Sequence, residues 1–69
     1  MIISSFYNKE RDRRAEVIKT DNGYHVRLFI DNVLEEVRDV SAHSINYAED
    51  CAENFVEGIF DVDNRVKIL

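Results

Sequence analysis

With 69 residues, 45% apolar and 33% charged, the chain has the composition of one small folded domain rather than of a disordered or multidomain protein. A formal net charge of −5 and a single cysteine argue against a strongly basic nucleic-acid binder and against a disulfide-stapled secreted scaffold, and no run approaches the roughly 18 apolar residues of a membrane span. A domain this small buries only about 60% of its unfolded surface, so stability is expected to be marginal, and a protein partner, a second copy of the chain included, would add to it.

The N-terminal "MIISSFYNK" has no basic n-region, no long apolar run and no small-residue cleavage site, which predicts neither export nor membrane insertion. Together with the lone Cys51 this points to a reducing, cytoplasmic setting. Within it "IISSFY" (Ile2–Tyr7) has short strand character and can extend a sheet or dock on a helix. The following "NKERDRR" (Asn8–Arg14) interleaves Lys9, Arg11, Arg13 and Arg14 with Glu10 and Asp12, the pattern of a solvated loop or strand lead-in more than of an anion site.

"RAEVIKT" (Arg14–Thr20) and "YHVRLFID" (Tyr24–Asp31) are rich in β-branched and aromatic residues and flank Asp21-Asn22-Gly23, whose Asn and Gly tolerate the positive φ of a tight turn. This predicts a hairpin. The period of two puts Tyr24, Val26, Leu28 and Ile30 on a core face and His25, Arg27, Phe29 and Asp31 on the other. A second turn at Asp31-Asn32 leads into a third strand over Val33–Ser41. There Val33 and Val37 oppose Leu34 and Val40, so neither face is cleanly apolar and the register is open, as in a half-buried edge strand.

The period then changes. Ala48, Cys51, Ala52, Phe55, Ile59 and Phe60 recur at helical spacing and make one apolar stripe, with Ser44, or Asn46 with Glu49, available to cap the first turn near Ile45–Tyr47. Residues 44–63 hold six acids and no base, whereas residues 1–20 carry a net +2, which predicts two electrically different surfaces. Glu49, Asp50 and Glu53 near the helix start suit the helix dipole; Glu57, Asp61 and Asp63 near its end do not. The tail "RVKIL" (Arg65–Leu69) again has strand character. The expected architecture is α+β: a single domain over residues 1–69 with its core from about 14 to 60, in which an antiparallel sheet of three or more strands carries one C-terminal amphipathic helix on one face (β-β-β-α).

No residue set predicts catalysis or a cofactor. His25, His43 and Cys51 lie on a strand, a loop and a helix and lack the close, paired spacing of metal ligands. Cys51 sits in the apolar stripe as a small hydrophobe, Asp61–Asn64 starts like a calcium loop but lacks its glycine and final glutamate, and Glu35 and Glu36 point to opposite faces of a strand. The function expected is a small non-enzymatic protein-interaction module that uses either its acidic helix, with Glu49, Asp50, Glu53 and Glu57 all pointing to water, or its exposed sheet face. The alternative is a nucleic-acid module using the outward sheet face, with Arg14, His25, Arg27, Phe29 and Arg38 combining stacking and phosphate contact. Nucleic acid is the less favoured partner because Glu16, Asp31 and Glu36 share that region and the whole chain repels a polyanion.

The order strand, strand, strand, helix over about Arg14 to Phe60 resembles the small DNA-binding modules of plant AP2 domains and of integrase arm-binding domains, which lay a three-stranded sheet in the major groove. This chain lacks their strongly basic sheet, so the resemblance implies the topology and not the function. The stretch "KTDNGYHVRLFIDNVLEEVRDVSAHSINYAEDCAENFVEGIF" is similar in style to small uncharacterised proteins of tailed phages infecting marine cyanobacteria. That resemblance implies an infected-cell cytoplasm and a host-directed role.

Overall fold

The computed structural model describes residues 1–62, and the strand expected at Arg65–Leu69 lies outside them, as does Asp63. Four antiparallel strands, β1 (Ile2–Asn8), β2 (Arg13–Thr20), β3 (Gly23–Ile30) and β4 (Val33–Asp39), lie side by side in sequence order and are followed by the helix α1 (Ile45–Val56). The N-terminal segment is thus a full strand, paired along β2 from Ile2↔Ile18 to Asn8↔Arg13. The β1–β2 turn is held by the Asn8 side chain, whose Oδ1 accepts from the backbone N–H groups of Glu10 and Arg11 at 3.1 and 3.3 Å.

The β2–β3 and β3–β4 turns divide their backbone work differently from expectation. Positive φ at both central residues, which the right-handed strand twist favours, occurs at Asp31 (53°) and Asn32 (65°) between β3 and β4. Between β2 and β3 only Gly23 is left-handed, at φ 124°, and Asn22 is not. There Thr20 Oγ1 accepts from the Asn22 N–H at 3.2 Å and steadies the turn from the side.

The core is the layer between sheet and helix. Ala15 and Val17 of β2, Val26 and Leu28 of β3, and Ala48, Ala52 and Phe55 of α1 are fully buried, with Phe6, Tyr24 and Ile30 packed round them. Alanine at 48 and 52 lets the helix approach closely, and it lies across β1, β2 and β3. Ser44 is the N-cap, accepting from the Tyr47 N–H at 3.3 Å, so no acid falls in the first turn and the dipole does not account for Glu49. The helix ends earlier than its apolar spacing suggests. Gly58, at φ 83°, follows the C-cap Glu57, donates to Phe55 O at 3.0 Å and lets the Ile59 N–H reach Asn54 O at 2.9 Å, a Schellman stop. The 3.6-residue period therefore lapses at Val56, which is buried, and Ile59 is 71% exposed instead of completing the stripe.

Arg13 closes this end. Its guanidinium donates to Phe55 O (3.1 Å) and Phe60 O (2.9 Å), pairs with Asp61 at 3.1 Å and lies 4.8 Å from the Phe55 ring centroid. A cation at a helix C-terminus satisfies carbonyls and suits the dipole, and it gives Asp61 the counter-charge that its position lacked in sequence.

Candidate interaction surface

With α1 on one side, the other side of the sheet is uncovered among the described residues. Strand pairing aligns its outward residues in three cross-strand rows: Tyr7, Arg14, Phe29 and Leu34; Ser5, Glu16, Arg27 and Val37; Ile2, Ile18, His25 and Asp39. Four apolar side chains on it are well exposed, Ile2 (52%), Tyr7 (62%), Leu34 (48%) and Val37 (51%). At its centre sits a carboxylate. Glu16, only 9% exposed, bridges Arg14 at 2.6 Å and Arg27 at 3.4 Å, and the Arg14 guanidinium stacks 3.8 Å from the Phe29 ring centroid. A carboxylate held by two guanidiniums keeps both arginines flat against the sheet, where their aliphatic stems extend the apolar surface. At the far row His25 lies 3.8 Å from Asp39, and hydrogen bonds from Ser41 hold the Asp39 carboxyl below its usual range.

Of the residues expected to share this face, Arg14, His25, Arg27 and Phe29 do so. Arg38 does not. Because Phe29 faces Leu34 while Leu28 faces Glu36, Glu35 is an extra residue in β4, and beyond it the strand's parity is reversed. Arg38 consequently sits opposite Val26 on the helix side, where it forks onto Glu36 at 2.9 and 3.1 Å and lies 4.7 Å from the Phe60 ring centroid. Glu36, expected among the outward acids, has moved with it. Of the acids expected there, Glu16 does lie on the outward face, beside Asp39, and it neutralises the arginines at the centre of that face.

The helix surface is less uniform than its spacing suggests. Asp50, Glu53 and Glu57 are exposed, as expected. Glu49 is not: it is half-buried and accepts a hydrogen bond of 2.5 Å from Ser4 Oγ of β1, so it fastens the helix to the edge strand. Between α1 and β4 opens a cavity of about 350 Å³ lined by Arg38, Tyr47, Asp50, Cys51, Asn54 and Phe60. Burial pushes the Cys51 thiol above its ordinary pKa, against the opposing influence of Arg38, and that suppresses the thiolate a nucleophile needs. Among the described residues no group of three or more His, Cys, Asp or Glu side chains is placed to hold a metal, and no helix is long and apolar enough to cross a membrane.

Comparison with models of known protein families, with curated proteins and with solved structures finds no match.

Proposed function

We propose that this chain is a non-enzymatic protein-interaction module and that its contact surface is the open face of the sheet. The observation that carries the reading is the juxtaposition on that face of exposed Tyr7, Leu34 and Val37 with arginines whose charge is already answered by Glu16. Aromatic, aliphatic and arginine side chains of this kind are the usual material of protein contacts. The helix surface, with Asp50, Glu53 and Glu57, serves solubility, since exposed charges of one sign contribute little individually. A reducing cytoplasm, that of an infected bacterial cell on the resemblance to phage proteins, accords with a lone half-buried thiol.

The test compares two sets of variants for capture of a purified partner. Tyr7→Ser with Val37→Ser should abolish capture while leaving the circular dichroism spectrum unchanged, and Glu53→Gln with Glu57→Gln should leave capture intact. The reverse pattern would move the binding surface to the helix. Nucleic acid is disfavoured by the same geometry, because Arg14 and Arg27 share one carboxylate and Arg38 faces the helix side. Duplex DNA titrated at about 0.15 M salt should bind no tighter than roughly 10⁻⁴ M.

A further inference from the structure

We infer that the occupant of the open sheet face is a second copy of this chain, packed face to face into a helix–sheet–sheet–helix dimer; this rests on the reading of that face as the contact surface. Charge supports it first. The three outward rows hold two guanidiniums, Arg14 and Arg27, and two carboxylates, Glu16 and Asp39, so the face is neutral and the formal net charge of −5 lies elsewhere on the chain. Two copies therefore repel through every approach that brings acidic helices together and do not repel through the sheets.

The sheet edges point the same way. Both edge strands are interrupted, β1 between Ile2 and Ser4 and β4 between Leu34 and Glu36, and such irregularities are a device that keeps edges from pairing with another chain. Edge-to-edge association is thus discouraged while the face is left apolar. Area supports a second copy as well. Four strands spaced about 4.8 Å and seven residues long at about 3.3 Å each present on the order of 450 Å² in projection. Two such faces remove on the order of 900 Å² from water, a size that suits a weak, reversible self-association rather than a permanent one. Sheets packed in this way sit about 10 Å apart, room for the Tyr7, Phe29, Leu34 and Val37 side chains to interdigitate.

Sedimentation equilibrium of the full chain across roughly 1–100 µM, a span that covers micromolar dissociation constants, is the test. The wild type should approach twice the 8.1 kDa chain mass. Val37→Glu adds to each copy's face a carboxylate that must be desolvated on association, and should weaken association by roughly 100-fold with an unchanged far-ultraviolet spectrum. Glu53→Lys on the helix should leave the dimer intact. Where Val37→Glu does not fold, Tyr7→Glu at the opposite edge carries the same test. A wild type that stays at 8.1 kDa overturns the inference, as does a dimer indifferent to both face substitutions. If the monomeric chain still loses capture of another protein on Tyr7→Ser with Val37→Ser, the contact surface stands and only the second copy fails; unaffected capture removes both.

Discussion

Replacing Arg13 with Leu should destabilise the domain by about 2–4 kcal/mol, from one fully lost charged hydrogen bond, to Phe60 O, at about 1.5–3 kcal/mol and a cation at a helix C-terminus at about 0.3–1 kcal/mol. The structure narrows that sum. Phe55 O keeps a second donor, the Gly58 N–H at 3.0 Å, so its loss is partial. The ion pair with Asp61, whose side chain is 62% exposed, adds less than about 1 kcal/mol. The aliphatic stem is replaced by Leu, which preserves packing on Phe55 and isolates the guanidinium. In a domain of this size about 2 kcal/mol corresponds to roughly 8–16 °C in Tm. Thermal and urea unfolding followed by circular dichroism measures it, with Asp61→Asn as the companion variant, expected to shift Tm by under about 4 °C, the mark of a largely exposed pair. An Arg13→Leu shift below about 3 °C would refute the assignment of Arg13 as the closing element of the helix.

Phe55→Ala should cost about 3–5 kcal/mol, since Phe55 is the largest fully buried side chain, and a domain of this size has little more than that to lose; a urea midpoint that barely moves would mean the core is elsewhere. Gly58→Ala should lose about 1–2 kcal/mol because φ is 83° and the new Cβ would stand 2.7 Å from Arg11 Nη1, whereas an unchanged midpoint would show that the left-handed stop is dispensable. Cys51 should react with a disulfide reagent more slowly at pH 8 than free cysteine does, and faster as pH rises, because burial raises its pKa and reduces the thiolate present below it; labelling as fast as the free amino acid would contradict the burial.

The hairpin β2–β3, the core face Val26–Leu28 and the helix with its Ser44 cap were legible because each rests on short-range signals: period two, period 3.6 and a capping oxygen. β4 was ambiguous for a specific reason. Leu34 and Val37 are an odd number of residues apart and yet face the same way, which strict alternation forbids and the extra residue Glu35 allows. The same parity reversal removed Arg38 from the outward set. Arg13 and Glu49 carried no local sign of their roles, because their partners lie 42 or more residues away and only tertiary packing brings them together. Glu16 was readable as an outward acid, but its bridging of Arg14 and Arg27 depends on the β2–β3 register and on the proximity of two strands.

Chemical-shift mapping of the ¹⁵N-labelled chain, as unlabelled chain or a purified capture partner is added, tests most directly whether the sheet is the contact surface. The largest shifts should fall on the amides of Tyr7, Arg14, Glu16, Arg27, Phe29 and Val37, with Asp50, Glu53 and Glu57 unmoved. Shifts concentrated on those three helix residues, with the sheet rows silent, would contradict it.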